Sequence, residues 1–347
     1  DWSGADFALG HSFDPATRSR LERALLEAME RTKARVMSAA VATSEGFWET
    51  TRAADGSLSP LKLYWASAGK TLTATIIMQL VEEGKLSLDD PLSRWMPEFP
   101  NASSIAIEDL LQHTAGIFSF NEDSNVRRNG RYVSPDEAIA IAAKHGAMFC
   151  PGRRWRYSNT GYTLLGKIIE QIEQRPYHEV VNARIRDRLQ LTGLRALAPL
   201  ERLSGIAPLT PTDSAVSAIE PSWPYAAGNV VGSAADLVRF WHALLAAKLT
   251  REESVDLMFE QLYPMFDRGT FYGRGVMLYV LNETLGSPIW LGHRGGTPGA
   301  KAVVAFSVGD RAFVAVALTG EGLPEATANL LLEQLSPLEE SNGRGKR

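Results

Sequence analysis

The order of strand-like and helix-like segments predicts a mixed α/β chain of the α+β type. We expect an antiparallel sheet flanked by terminal helices, with an all-helical region inserted into it. Strand-like apolar runs occur near both ends of the chain, and helical periodicity dominates the middle. We assign residues 1–66 and 225–347 to a sheet domain and 67–224 to a helical domain, with the functional site in the cleft between them.

The first predicted elements are a helix and a hairpin. Asp14 followed by Pro15 is typical of a helix start, with an N-cap residue and proline at the first helical position. Apolar residues at helical spacing extend this helix to about Lys33. Two strand-like runs follow at 36–43 and 47–52, and the turn between them contains Gly46, which predicts an antiparallel hairpin.

Helical periodicity then takes over. A helix is predicted from Ser67 to Glu83, and Gly84 stands where a glycine commonly ends a helix. The further predicted helices cover 107–112, 135–144, 160–174 and 234–246.

The strand pattern returns near the C-terminus. Strands are predicted at 272–281, 288–293, 300–307 and 312–318, and a last helix at 324–335. Turns are expected at or near Gly286, Gly295-Gly296 and Gly309-Asp310. These strands are expected to pair with the N-terminal hairpin.

Composition excludes several classes of function. The 347 residues are 45% hydrophobic and 22% charged, with a net charge of −4, so no nucleic-acid partner is expected. The single cysteine, Cys150, rules out an internal disulfide and a zinc–cysteine cluster. No apolar run reaches the roughly 18–20 residues that a membrane span needs. The six histidines include no pair four apart, so a zinc pair on a helix is not expected. No cofactor is expected either.

The first chemical motif is Ser67-Ala68-Gly69-Lys70. Residues three apart share one face of a helical turn, so Ser67 and Lys70 are expected to lie side by side. A helix N-terminus stabilises negative charge on a serine oxygen, and a buried lysine can be neutral and accept a proton. The simpler alternative is that Ser67 caps the helix and Lys70 faces water.

Two further motifs follow. Tyr157 and Asn159 occupy alternate positions before a helix, so a phenol and an amide can face one cleft. Alternatively, they only cap and cover that helix. In the segment His293-Arg294-Gly295-Gly296, a strand is expected to end at His293, with its side chain in the cleft. The alternative is a turn histidine without a special role. The glycines would let a substrate approach, and a main-chain N–H of this segment could complete an oxyanion hole with the N–H of Ser67.

Together, in this order, the motifs resemble those of the serine β-lactamase and penicillin-binding protein family, in the branch close to class C β-lactamases. Tyr157-Ser158-Asn159 resembles its Tyr-x-Asn element, and His293-Arg294-Gly295 its Lys-x-Gly or His-x-Gly element. The segments 109–117 and 232–240 also resemble shared stretches, so the similarity covers roughly residues 30 to 320. It implies the β-lactamase/transpeptidase-like fold.

The resemblance also implies a mechanism. Ser67 would form an acyl-enzyme, Lys70 and Tyr157 would move its proton, and His293 would take part in catalysis. The oxyanion would lie between the N–H groups of Ser67 and Gly296. Asn159, Arg294 and Gly295 would bind the substrate, a small molecule or peptide. Arg294 would bind a substrate carboxylate, with exposure to solvent as the equal alternative. A periplasmic or secreted location is expected from the family, with the cytoplasm as the alternative, and the oligomeric state stays open.

The histidine in the third motif shifts the expected substrate. His-x-Gly is frequent among the family's D-aminopeptidases, amidases and esterases, so a peptidase or amidase of small or D-residue peptides ranks first. An esterase or weak β-lactamase is the alternative, and a penicillin-binding or sensor protein without turnover is an alternative of another class. No Gly-x-Ser-x-Gly motif supports an α/β-hydrolase. Cys150 is interpreted as a buried turn residue rather than a nucleophile.

Overall fold

The computed structural model describes residues 2, 4–129, 131–202, 204–209, 211, 220–281 and 288–335. The strands are β1 (Ala34–Thr43), β2 (Gly46–Ala53), β3 (Leu63–Tyr64), β4 (Arg195–Ala196), β5 (Val230–Gly232), β6 (Tyr263–Pro264), β7 (Thr270–Tyr272), β8 (Met277–Val280), β9 (Ile289–Thr297), β10 (Ala300–Ser307) and β11 (Ala312–Gly320). The helices are α1 (Pro15–Thr32), α2 (Lys70–Glu82), α3 (Ile107–Gln112), α4 (Ser124–Asn129), α5 (Pro135–His145), α6 (Asn159–Glu173), α7 (Tyr177–Val181), α8 (Ala234–Leu245), α9 (Glu252–Glu260) and α10 (Pro324–Glu333).

One large sheet joins the two ends of the chain. Its 8 strands follow the order β2-β1-β11-β10-β9-β8-β7-β6 and pair antiparallel. The pairing of β1 with β11 places Val41 opposite Val314. The predicted antiparallel sheet built from both ends is therefore confirmed, as is the mixed α/β class.

Helices cover both faces of this sheet. The side chain of Asp14 accepts hydrogen bonds from the N–H groups of Ala16 and Thr17, which starts α1 where the sequence predicts it. Leu21 of α1 and Leu331 of α10 pack together on one face. Trp241 of α8 belongs to the core on the opposite face.

The helical part of the chain is built around α2, whose residues from Lys70 to Leu80 are all buried. The helix ends as predicted at Gly84, because the N–H groups of Gly84 and Lys85 bond to the carbonyls of Val81 and Leu80. Among the residues that the structure describes, no helix is long and apolar enough to cross a bilayer.

Two predicted strands are wrong in detail. The single strand at 272–281 is two strands, β7 and β8, because the chain turns between them at Gly275. This glycine has φ +76°, and a Cβ there would lie 2.3 Å from Cβ of Ala74 on α2. The strand predicted to end at His293 continues to Thr297, so Gly295 and Gly296 lie inside β9 rather than in a turn. Gly286 lies outside the described residues.

Several elements were not predicted. A small antiparallel sheet of β3, β5 and β4 connects the segment before α2 with the segment before α8. Helices α4, α7 and α9 and strand β6 were also not predicted. The division into two domains at residues 66 and 225 stays a prediction.

Candidate active site

Ser67 lies in a short 3-10 turn, Ala66–Gly69, that leads directly into α2. The preceding Trp65 is completely buried, and its indole N–H donates to the carbonyl of Gly232 at 3.1 Å. Ala66 has φ +45°, an unusual conformation for a residue with a Cβ. The turn is therefore fixed by the small sheet behind it, and the partly exposed Ser67 stands at its surface.

Lys70 is completely buried beneath Ser67. Its Nζ lies 3.2 Å from Ser67 Oγ, 2.7 Å from Asn159 Oδ1 and 2.7 Å from the carbonyl oxygen of Ala227. Burial holds the pKa of Lys70 well below its ordinary value of 10.5. Within the described part of the chain, no carboxylate forms an ion pair with this lysine.

Asn159 is held in place by the segment before α4. Its main-chain N–H donates to Ser119 Oγ at 2.9 Å, and its Nδ2 donates to Asn121 Oδ1 at 2.9 Å. Because the amide nitrogen is occupied in this way, the amide oxygen faces Lys70. The structure thus brings Ser67, Lys70 and Asn159 together in one hydrogen-bonded group.

The ring of Tyr157 lies against this hydrogen-bonded group. Lys70 Nζ lies 4.8 Å from the centre of its ring. Desolvation raises the pKa of the Tyr157 phenol above its ordinary value of 10.0, while a hydrogen bond with Ser67 acts in the opposite direction. The phenol therefore keeps its proton at neutral pH.

The third predicted motif lies on β9, where the strand runs past the Ser67 turn. Strand β8 pairs with β9 only as far as Gly292, so the 293–297 edge that faces away from β10 has no strand neighbour among the described residues. A Cβ at Gly295 would lie 2.2 Å from the carbonyl oxygen of Trp65 and 2.7 Å from the nitrogen of Ser67. Only glycine lets the strand approach the turn this closely.

His293 lies behind this edge, completely buried. Its Nδ1 donates to the carbonyl of Arg294 at 2.6 Å, so its Nε2 accepts from the Tyr272 hydroxyl at 3.1 Å. Burial, with the charge of Lys70 second, lowers the pKa of His293 to about 3. It does not line the pocket next to Ser67. Its expected place in the cleft and its part in catalysis both stay predictions.

A pocket of about 340 Å³ opens beside Ser67 and Tyr157. Arg294, Gly295 and Gly296 form part of its wall, and Arg294 lies 3.7 Å from Glu325 at the start of α10. The rest of the lining is mostly apolar and includes Met265, Phe266, Met277, Leu323 and Pro324.

Sequence reasoning missed three groups at this site. The main-chain oxygen of Ala227 binds Lys70, Tyr272 bonds to His293, and His113 packs its ring against Tyr157 at 4.2 Å between centres. The segment 109–117 contains His113, but nothing in its sequence predicts a contact with Tyr157. Cys150, expected to be buried, is exposed.

Comparison with known proteins agrees with this geometry. The family model Beta-lactamase matches residues 22–336. The chain belongs to the beta-lactamase family. This is a family of serine hydrolases, and the recognition made from the motifs is confirmed.

Individual relatives are more distant. "Putative penicillin-binding protein PbpX" of Bacillus subtilis is 30% identical over 65% of this chain and 57% of its own length. The chain thus spans less than two thirds of that curated relative. A D-stereospecific amidohydrolase from Streptomyces sp. is 25% identical with a TM-score of 0.75, covering 91% of this chain and 97% of that one. The D-amino acid amidase from Ochrobactrum anthropi SV3, 22% identical with a TM-score of 0.80 over 92% and 98% of the two chains, shares the fold.

Proposed function

We propose that this serine hydrolase acts through an acyl-enzyme on Ser67, as a peptidase or amidase of small or D-residue peptides. The observation that carries the proposal is the environment of Lys70. Its amine is completely buried and touches Ser67 Oγ, and its other two hydrogen-bond partners are uncharged acceptors. Such an environment favours the neutral amine, which is the form that accepts a proton.

The three distances around Lys70 fit a neutral amine. A neutral amine has two N–H groups and one lone pair. The two 2.7 Å contacts, to Asn159 Oδ1 and to the carbonyl of Ala227, go to oxygens that can only accept. The lone pair is then left for the hydroxyl of Ser67 at 3.2 Å. Lys70 is thus placed to accept the proton when Ser67 attacks.

In the proposed reaction, Ser67 Oγ bonds to the substrate carbonyl carbon while its proton passes to Lys70. The N–H groups of Ser67 and Gly296 hold the oxyanion. The carbon–nitrogen bond then breaks, and the amine leaves with a proton relayed by Tyr157, whose raised pKa suits a neutral phenol that gives one proton as it takes another. Water next attacks the acyl-enzyme, its proton returns along the same path, and the acid and free Ser67 are released.

The pocket supports a small substrate with an apolar group. A volume of about 340 Å³ suits one amino-acid side chain rather than a long peptide, and Met265, Phe266 and Met277 offer it apolar contacts. The D-configuration is supported by the similarity to a D-stereospecific amidohydrolase at 25% identity. Arg294 and Lys301 supply positive charge at the wall of the pocket, and Glu325 supplies negative charge.

Intact-mass measurement after treatment with a fluorophosphonate tests the nucleophile. Attack of Ser67 Oγ on phosphorus expels fluoride and leaves a phosphonyl adduct. We expect one adduct in the parent enzyme and none in Ser67→Ala, which removes only one oxygen from a partly exposed position. An adduct that persists in Ser67→Ala would refute the assignment.

Hydrolysis of D-phenylalanine amide and of its L-isomer tests the substrate. We expect the D-isomer to react faster, with no turnover of either in Ser67→Ala. Equal rates for the two isomers would refute D-selectivity. A penicillin adduct on Ser67 that never turns over, together with no hydrolysis of either amide, would favour a penicillin-binding protein without turnover.

A further inference from the structure

His113 holds the main chain on both sides of Tyr157. The N–H of Arg156 donates to the carbonyl oxygen of His113 at 2.9 Å, and the N–H of Ser158 donates to its ring atom Nδ1 at 3.2 Å. The N–H groups of the two residues that flank Tyr157 thus both bond to a single residue. The main chain around Tyr157 is therefore anchored to the C-terminal end of α3.

The ring of His113 also packs directly on that phenol. The two ring centres are 4.2 Å apart, and His113 lies 4.5 Å from the ring of Tyr272 and 5.3 Å from that of Tyr162. His113 is only 2% exposed. It therefore contacts Tyr157 and also the buried rings of Tyr162 and Tyr272.

The tautomer of His113 follows from its contacts. Because Nδ1 accepts a hydrogen bond from Ser158, a neutral ring carries its proton on Nε2. That atom has no hydrogen-bond partner among the described residues. Burial, followed by the charges of Lys70 and His293, holds the pKa of His113 well below 6.5. His113 thus acts as an acceptor and a packing surface, not as an acid or base.

The backbone of His113 is held in a conformation that costs energy. It caps α3 with φ +65°, in the left-handed region where glycine or asparagine is the usual choice. A local role as a helix cap would be served better by either of those residues. What the imidazole adds is the acceptor for Ser158 and the ring contact with Tyr157.

We propose that His113 is a positioning residue that holds the phenol of Tyr157 beside Ser67 and Lys70. It does so by binding the chain on both sides of Tyr157 and by packing its ring on the phenol. This inference rests on the proposed function, because it assigns His113 an effect only through Tyr157. His113 is not expected to touch the substrate.

Three variants separate positioning from stability. His113→Phe keeps a ring but loses the acceptor for Ser158. His113→Asn tolerates the left-handed backbone and restores an acceptor oxygen without the ring. His242→Phe is the matched control, since His242 is also a buried histidine, 5% exposed, that bonds through Nε2 to the carbonyl of Phe7 and does not line the pocket next to Ser67.

The readout is the rate of fluorophosphonate labelling of Ser67, separated into kinact and KI, with Tm recorded for each variant. We expect His113→Phe to lower kinact by about 10²-fold with KI unchanged, the effect of a misplaced catalytic group. His113→Asn should recover part of this loss. His242→Phe should lower Tm without changing kinact.

The outcomes distinguish this inference from the proposed function. If the parent is labelled at Ser67 and folded His113→Phe is labelled at the same kinact, the positioning role is overturned while the proposed function stands. If His113→Phe does not fold, His113→Asn decides, and a kinact equal to that of the parent overturns the role. A parent that is never labelled at Ser67 overturns both.

Discussion

Each end of helix α2 carries an ionisable side chain whose charge has the wrong sign for the helix dipole. The two side chains differ in their partners, since one has counter-charges and the other has none among the described residues. Glu83 stands at the C-terminal end, where negative charge is unfavourable, and Lys70 at the N-terminal end, where positive charge is unfavourable. Glu83 is bound by Arg184 through contacts of 2.6 and 3.0 Å and by Lys85 at 2.8 Å. Lys70 has only uncharged partners.

The pKa values record this difference. Hydrogen bonds with Arg184 lower the pKa of Glu83 to about 2, which stabilises its charged form. Burial lowers the pKa of Lys70, which destabilises its charged form. Glu83, whose charge is balanced by basic partners, stabilises the folded chain. Lys70 has no counter-charge in the described part of the chain and contacts Ser67, and a lowered pKa in such a place is typical of a functional residue.

The largest effect is expected from Lys70→Arg, because a guanidinium keeps its proton and cannot act as a base. Labelling of Ser67 by fluorophosphonate should slow by roughly 10²–10⁴-fold, the usual contribution of a general base. Lys85→Arg is the matched control at the other end of α2 and should leave the rate unchanged. A Lys70→Arg enzyme labelled at the parental rate would refute the conclusion that Lys70 acts as the base.

The pH dependence of labelling gives a second readout on the same pair of variants. The rate of the parent should rise with pH as Lys70 loses its proton, at a pH below the ordinary value of 10.5, since its pKa is lowered. The unfolded chain still holds this proton there, so the contribution of Lys70 to stability also rises with pH up to about 10.5. Lys70→Arg should lack both changes.

A smaller effect is expected where β9 approaches the start of α2. Gly295→Ala would place a Cβ 2.2 Å from the carbonyl of Trp65, so the strand must move away from the Ser67 turn. We expect a stability loss of about 1–3 kcal/mol, typical of overpacking, measured by urea unfolding. Ser67 labelling should slow as well.

Gly296→Ala is the control for that steric argument, since a Cβ there meets no atom within 4 Å. Its stability should match that of the parent, whatever happens to activity. Equal stability losses in the two alanine variants would contradict the close approach of β9 to the turn.

How well the sequence predicts the fold depends on where the deciding interactions lie. Asp14, Pro15 and Gly84 act on their own helix ends, and those ends were predicted. The glycines at 295 and 296 suggested a turn, but pairing of β9 with β10, which sets Gly295 opposite Ala302, keeps the strand extended. Tertiary pairing thus outweighs the local preference, and a local pattern does not contain it.

The same distinction holds at the site. Ser67, Lys70, Tyr157 and Asn159 come from short motifs, and the structure brings them together. Ala227 contributes a main-chain oxygen, which no side-chain pattern can reveal. His113 and Tyr272 matter through contacts between distant segments.

The smallest effect is expected at the C-terminal end of α2, from Glu83→Gln. Because the folded pKa of Glu83 is about 2 and its ordinary value is 4.5, its stabilising contribution is complete above 4.5 and is lost as pH falls towards 2. The side chain is 37% exposed, so solvent screening limits the loss at neutral pH to about 1 kcal/mol or less. Urea unfolding should show this gap between parent and variant closing in acid, with Ser67 labelling unaffected. A gap that is independent of pH would mean that Glu83 stabilises the helix end by packing rather than by charge.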